Sequence, residues 1–428
     1  MWRLAYRVFS AVSGIWFWMK RRFTGAGFLA LGTLVTAGAL GIDTNQTLAY
    51  QIFTFLFALL AAAMLAALLL RPAFQVTRIL PRMITAGQAF DYRVLVKNLG
   101  TRPADGLALL EDQSDPRPAF TEFRSALKFP TYRGWSRLSR RSQIAHIDET
   151  ALPALSPRAE AEVRVQGLAY RRGTLRLEGA TVARADPLGL IRSLVRIGLP
   201  DKLIVLPRRY SLPRLALPGA RRYQHGGVTL ASSVGESEEF MSLRDYRPGD
   251  PLQRIHWKSY AHSGKPVVKE YQDEFFERHA LVLDTFTDRE GAVFEEAVSL
   301  AASFACTLDT QESLLDLMFV GTESYCYTAG RGQMPQGSLL EILAGVRPSA
   351  DRAFRRLHDA VLARRALLSG CILILLAWDE ARQALVRALQ QSGVPIKVLL
   401  VSEQDIEAAP AWLRVLTPGK IQEGLAQL

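Results

Sequence analysis

The hydrophobic and polar positions change rhythm several times along the chain, and each rhythm predicts a different kind of element. Residues 23–70 carry a single charge, Asp43, which separates an uncharged run of 20 residues (Phe23 to Ile42) from one of 27 (Thr44 to Leu70). At about 1.5 Å per helical residue, each run is long enough to cross a hydrocarbon layer of roughly 30 Å. Asp43, Thr44 and Asn45 form the turn between them, so the pair predicts a transmembrane hairpin. A 22-residue segment precedes the first run and a second span follows it directly, which is not the layout of a cleaved signal peptide. In residues 1–22, Trp2, Tyr6, Trp16 and Trp18 are mixed with Arg3 and Arg7. This predicts an interfacial amphipathic segment, since its apolar stretch from Val8 to Met19 is too short to span. Ala62 with Ala66, and Ala63 with Ala67, place small residues one turn apart where two spans could pack closely.

From about Leu80 the period becomes two. Phe90, Tyr92, Val94 and Val96, then Leu107 and Leu109, Val163 and Val165, and Leu175 and Leu177 alternate with polar residues, and Asn98-Leu-Gly100, Pro103 and Asp105-Gly106 supply turns. Residues 71–230 therefore predict an all-β antiparallel sandwich of immunoglobulin-like type. Between Asp112 and Glu149 the alternation breaks. Arg124, Lys128, Arg133, Arg137, Arg140 and Arg141 there surround Phe129, Tyr132 and Trp135, a pattern expected of a solvated insertion or of a basic, aromatic loop for lipid headgroups. Asp186-Pro-Leu-Gly189 has the spacing of a tight turn.

After Glu277 strands and helices alternate. Expected strands are Ala280–Leu283, Leu314–Val320, Ser324–Thr328, Cys371–Ala377 and Ile396–Val401; expected helices are Glu290–Leu308, Ser338–Val346, Ala353–Leu368 and Glu380–Gln391. Apolar strands such as Ile372-Leu-Ile-Leu-Leu376 between amphipathic helices predict a doubly wound α/β domain over 278–428, with ligand sites at the strand C-terminal ends.

Charge sharpens this division. The net charge of +11 splits into +4 over residues 1–70, +14 over 71–230 and −7 over 231–428. Lys20, Arg21 and Arg22 precede the first span and Arg71, Arg78 and Arg82 follow the second, while the turn has no positive charge, so both termini are expected in the cytoplasm. The basic middle suits an anionic bilayer, and no nucleic-acid motif accompanies it. Cys306, Cys326 and Cys371 show no Cys-x-x-Cys spacing and read as buried, reduced thiols.

Candidate chemistry concentrates in residues 231–277: Gly235-Glu-Ser-Glu-Glu-Phe240, Leu243-Arg-Asp-Tyr246, Pro248-Gly-Asp250, Arg254-Ile-His-Trp257, Lys258-Ser259, Val267-Val268 and Glu270-Tyr271. Arg244 and Arg254 could each grip a carboxylate, Asp250 or Asp245, in a two-pronged hydrogen bond, with Trp257 and Tyr246 as apolar filling. Arg244, Tyr246, Gly249, Asp250, Arg254, His256 and Trp257 are thus expected to form either an interdomain junction or a partner-binding surface, Trp, Tyr and Arg being the residues that dominate binding hot spots. His256 and His262, six residues apart, share no helical face and have no nearby third ligand.

These motifs, with Arg171-Arg-Gly173 and Asp186-Pro-Leu-Gly-Leu190 upstream, resemble the bacterial membrane-protein family called domain of unknown function 58, over nearly the whole chain. The resemblance implies an inner-membrane protein with a von Willebrand factor A-like C-terminal domain, working with MoxR-type AAA+ ATPases, and often transglutaminase-like membrane proteins, in maturation or assembly of other proteins. The metal site of such domains uses an Asp-x-Ser-x-Ser loop. Here the loop is Asp284-Thr-Phe-Thr-Asp288, in which Phe286 replaces one hydroxyl and Asp288 the other, and Ser349 and Asp379 could stand in for the remaining ligands. Loss of the magnesium site, no cofactor and a non-enzymatic scaffold are therefore expected. The alternative is a metal-dependent enzyme using Asp284, Asp288 and Asp379, or His256 and His262.

Overall fold

The computed structural model describes residues 1–40, 47–69, 73–115, 117–213, 240–250, 252–271, 277–288, 291–307, 313–330, 334–349, 354–404, 410 and 412–426. The expected turn at Asp43–Asn45, Arg71, the motif residues 235–239 and the side chain of Arg254 lie outside the described residues. The chain divides into two compact units, Met1–Pro207 and Arg208–Leu428.

The first unit opens with helices α1 (Trp2–Arg22), α2 (Gly25–Leu40) and α3 (Thr47–Leu69). Within α3, Leu48–Leu68 is 21 residues long and apolar enough to cross a membrane, whereas α2 has 16 residues, about 24 Å at the helical rise. Of the two small-residue pairs in α3, Ala63 and Ala67 are the buried one. They pack with Leu60, Leu31 and Leu34 beside Leu190 and Ile191.

The strands follow: β1 (Phe74–Ile79), β2 (Met83–Thr85), β3 (Ala89–Asn98), β4 (Leu107–Gln113), then helices α4 (Phe120–Ala126) and α5 (Tyr132–Ser142), and β5 (Ala145–Ile147), β6 (Thr150–Leu152), β7 (Glu160–Ala169), β8 (Gly173–Ala185) and β9 (Arg192–Leu206). One sheet runs β1-β3-β7-β5 and the other β2-β9-β8-β4-β6, antiparallel throughout except for β2 beside β9. The period-two residues Tyr92, Val94, Val96 and Val165 of one sheet share a core with Leu107, Leu109, Leu177, Val182 and Leu203 of the other. At its edge the fully buried Arg78 of β1 crosses between the sheets, 2.7 Å from Glu111 on β4 and 2.6 Å from Asp201 on β9. Burial draws the Arg78 pKa down, but the carboxylates outweigh it and the net direction is up.

Residues 112–149 are not the solvated loop that the broken alternation suggested. Phe123, Trp135 and Leu138 of α4 and α5 are buried against Trp2, Tyr6 and Phe9 of α1, with ring centroids 5.3 Å apart for Tyr6–Trp135 and 5.6 Å for Trp2–Phe123. Arg133, Arg137, Arg140 and Arg141 lie on the opposite, exposed side of α5. The far end of α1 is tied to β4 by Arg21, 2.6 Å from Asp112.

The Asp186–Leu190 turn does more than reverse the chain. Gly189 takes the left-handed conformation (φ 67°), and the Asp186 carboxylate accepts the backbone N–H groups of Leu188, Leu190 and Ile191 at 3.0, 2.7 and 2.7 Å. The loop fixed in this way seats the start of α2. Thr24 donates its backbone N–H (3.1 Å) and its hydroxyl to Leu190 O, and Gly27 lies so close that a Cβ there would stand 2.0 Å from that oxygen.

The second unit contains β10 (Phe240–Asp245), α6 (Trp257–Ser263), β11 (Val267–Tyr271), β12 (Glu277–Leu283), α7 (Ala292–Thr307), β13 (Ser313–Val320), β14 (Ser324–Ala329), α8 (Gln336–Gly345), α9 (Arg355–Arg364), β15 (Gly370–Leu375), α10 (Glu380–Gln391), β16 (Ile396–Val401), β17 (Leu413–Leu416) and α11 (Ile421–Leu425). Strands β10 and β11 pair with each other. The described strands of the large sheet run β14-β13-β12-β15-β16-β17, parallel except for the antiparallel edge strand β14. Ala280, Val282, Leu373 and Leu375 pack on Leu357 and Val361 of α9 and on Leu385 and Leu389 of α10. The alternate residues Leu281, Leu283, Ile372 and Ile374 are equally buried, and α7 lies along β12, β15 and β16. Both faces are therefore covered, as the continuous apolar strands required. Inside this sheet Asp316, fully buried, receives two guanidinium bonds from Arg278, at 2.8 and 3.1 Å, and one hydrogen bond from Thr328 at 2.6 Å.

The seat of α2 yields a test. Gly27→Leu must displace the helix or the loop and should cost about 1–3 kcal/mol in thermal unfolding. It should also expose the Asp186–Ile191 loop to protease. Gly32→Ala, where an added Cβ meets nothing within 4 Å, should be neutral or slightly stabilising.

Candidate functional site

Within the motif of residues 240–271 a two-pronged ion pair joins Arg244 to Asp250. Strands β10 and β11 bring Leu243 opposite Lys269 and Arg244 opposite Val268, and the connection turns through Gly249 in the left-handed region (φ 108°). Arg244 places both terminal nitrogens on Asp250, 2.7 Å to each oxygen, and Asp250 also accepts the Arg247 backbone N–H at 2.9 Å. The guanidinium bond and then the Arg247 N–H hold the Asp250 carboxyl at a pKa of about 2. The clasp closes a short loop, from which the chain enters a single helical turn at Leu252–Arg254 and then α6. His256 donates its N–H to Val267 O (2.8 Å), its ring Nδ1 lies 2.6 Å from Ser259 Oγ, and Gly264 (φ 66°) ends α6.

This arrangement turns Ile255 and Val268 inward and the larger apolar groups outward. Trp257, expected as filling, is 61% exposed, with Leu252 at 66% and Tyr260 at 41%. Tyr246 is half-buried. The Trp257 and Tyr260 rings meet edge to face with centroids 6.0 Å apart. Trp257 starts a helix only seven residues long, too small a body to enclose an indole. Trp257 and Tyr260 thus form an exposed aromatic pair on α6, and Leu252, Lys258 and Lys265 are exposed in the same segment. His256 and His262 lie at opposite ends of α6, and His256 is engaged by Ser259.

A second cluster stands at the C-terminal end of the large sheet. Asp284 follows β12 and is fully buried. Its Oδ1 accepts the Phe286 N–H (3.0 Å), and its Oδ2 accepts the Leu376 N–H (3.1 Å) and Nε of Arg382 (2.6 Å). Arg382 also pairs with Asp379, which caps α10 by accepting the Arg382 backbone N–H at 3.0 Å. The guanidinium lies over the Phe354 ring, 4.8 Å from its centroid. Burial lowers the Arg382 pKa, but Asp284 and then Asp379 raise it further, so the net direction is up. Asp284, Ser349 and Asp379 do reach the same end of the sheet, whereas Asp288 is exposed. They do not form a metal cage, because Arg382 holds both carboxylates. Among the described residues no three His, Cys, Asp or Glu side chains converge as metal ligands.

Cys371 is buried and its thiol is pushed up to about 12 by that burial; Cys326, half-buried, rises to about 11 for the same reason. Both are held as neutral thiols. Sequence reasoning missed Arg382, Leu252 and Tyr260. Arg382 was detectable only as a lone arginine in the first turn of an amphipathic helix directly after Asp379.

No family model matches the chain. An uncharacterized protein of Bacillus subtilis (strain 168), YeaD, is 24% identical over 242 residues, which are 56% of this chain and 59% of that protein. The match thus spans about three fifths of the curated relative. Among solved structures, the CARDB domain of the PF1109 protein of Pyrococcus furiosus is 15% identical, with 31% of this chain and 93% of that one covered at a TM-score of 0.18. A Salmonella alpha-2-macroglobulin is also 15% identical, with 34% and 8% covered at a TM-score of 0.20.

The clasp makes a pH prediction. The folded pKa of Asp250 lies below its ordinary value of about 4, so the pair is intact above that value and opens as pH falls through about 2. In infrared difference spectra of wild type against Asp250→Asn, the Asp250 carboxylate band should persist below pH 3. Its loss near pH 4 would show that the clasp is not formed.

Proposed function

We propose that this chain is a membrane-anchored, non-enzymatic docking protein whose residues 240–271 bind a partner protein. The observation that carries the reading is the outward Trp257, with the Tyr260 ring against it and Leu252 also exposed, on a helix that follows the loop closed by the Arg244–Asp250 clasp. A large indole left in water on a short, internally braced element has the character of a binding hot spot, since its burial by a partner gains apolar contact while the rigid loop limits the ordering cost. The exposed Lys258 and Lys265 of the same segment favour a partner surface that carries carboxylates.

By the motif resemblance, the partner is a MoxR-type AAA+ ATPase, with a transglutaminase-like membrane protein as a further component, and the process is the maturation or assembly of other proteins. The reading takes α2 and α3 as a two-span hairpin in a bacterial inner membrane with both termini cytoplasmic. Their apolar composition and the flanking Lys20, Arg21 and Arg22 support it. It takes the second unit as von Willebrand factor A-like, supported by the strand order with one antiparallel edge strand. It takes the chain as free of catalysis, supported by the engagement of Asp284 and Asp379 by Arg382 and of His256 by Ser259.

Purification of the full chain from its own cells in mild detergent, under ATP-trapping conditions, tests the partner. The wild type should recover an AAA+ ATPase, and Trp257→Ala should reduce recovery at least roughly tenfold, the scale of a hot-spot residue, with unchanged thermal unfolding. Recovery of no ATPase, or undiminished recovery by Trp257→Ala, contradicts the reading.

A further inference from the structure

We infer that the Arg382 guanidinium is a tethered cation that stands where a divalent metal ion would have to bind at the C-terminal end of the large sheet, making this end of the second unit independent of metal. A carboxylate as buried as Asp284 must be neutralised or compensated, and among the described residues the positive charge paired with it is the Arg382 guanidinium, 2.6 Å away. Arg382 reaches it from the first turn of α10, joining the ends of β12 and β15 to that helix through Asp284, the Leu376 N–H and Asp379.

The neighbouring groups are turned to this arrangement and away from a metal. A hard divalent cation needs about six oxygens converging at roughly 2.0–2.6 Å. Here the Thr285 hydroxyl donates to Val320 O and the Ser349 hydroxyl to Gly321 O, so both are directed at backbone carbonyls of the β13 end and share no point with Asp284. Phe286 sets a phenyl ring, not a hydroxyl, two residues after Asp284, and packs it against Phe354 with centroids 5.5 Å apart. Phe354 in turn carries the guanidinium on its face, a contact suited to a planar organic cation. The substitution that removes a metal ligand and the aromatic platform for Arg382 are thus parts of one packing arrangement. The inference stands whichever partner occupies the 240–271 surface.

Thermal unfolding of the full chain in mild detergent tests it. Wild-type Tm should be the same in EDTA and in millimolar Mg2+ or Mn2+. Arg382→Ala should lower the transition of the second unit by roughly 5–15 °C, the scale expected for an uncompensated buried charge. Mg2+ or methylguanidinium should recover part of that loss, with neither affecting the wild type. Should Arg382→Ala fail to fold, Asp284→Asn combined with Arg382→Met removes both charges and should be more stable than Arg382→Met alone. A wild-type Tm that rises with Mg2+ and loses this response in Asp284→Asn would overturn the inference. So would an Arg382→Ala protein as stable as wild type, or charge removals whose effects simply add.

Discussion

A guanidinium or carboxylate taken out of water must find its opposite, and this requirement organises the molecule more than any single apolar contact. Arg78 with Glu111 and Asp201 joins the two sheets of the sandwich. Arg244 with Asp250 closes the motif loop as a partly exposed pair, whereas Arg278 with Asp316 and Arg382 with Asp284 are buried, joining β12 to β13 and α10 to the sheet end. Such pairs add modest net stability, because desolvation offsets much of their attraction, yet removing one partner is costly.

The same constraint separates the two places where a ligand could act. At the end of the large sheet, where α/β sheets commonly bind ligands, Arg382 holds Asp284 and Asp379, and the Thr285 and Ser349 hydroxyls are turned to backbone carbonyls. At residues 240–271 the pair is likewise satisfied but partly exposed, and Trp257 at the start of α6 is turned outward. Within the first unit, the Asp186–Leu190 loop supplies a further fixed point by gripping the start of α2 through backbone atoms, a role that requires Gly at position 27 and an acceptor at 186.

Legibility in the sequence followed the range of the interaction. The longer strands β3, β4, β7 and β8 and the sheet strands β12 to β16 were readable because periodicity is local; β16 and α10 match their expected bounds, and β12 and β13 differ at their starts only. The short β17 and α11 carried too few apolar positions to register. Helices α4 and α5 were hidden because their buried face, Phe123, Trp135 and Leu138, sits among arginines and finds its partners more than a hundred residues earlier in α1. The Arg244–Asp250 pairing was visible at a separation of six residues, whereas Arg382 is 98 residues from Asp284 and nothing local marks it as a replacement for a metal ion. For Trp257 the sequence leaves two places open, apolar filling of a junction or a partner-binding surface, and its exposure at the start of the seven-residue α6 excludes only the role of filling.

The central claim, that the motif surface and not the sheet end engages a partner, is tested most directly by hydrogen exchange. The full chain in lipid nanodiscs would be compared with and without the AAA+ ATPase held in its ATP state. Slowed exchange at residues 252–268, with the segments around Asp284 and Leu376 unchanged, is the predicted result. Protection confined to the sheet end, or none at residues 252–268, would contradict it.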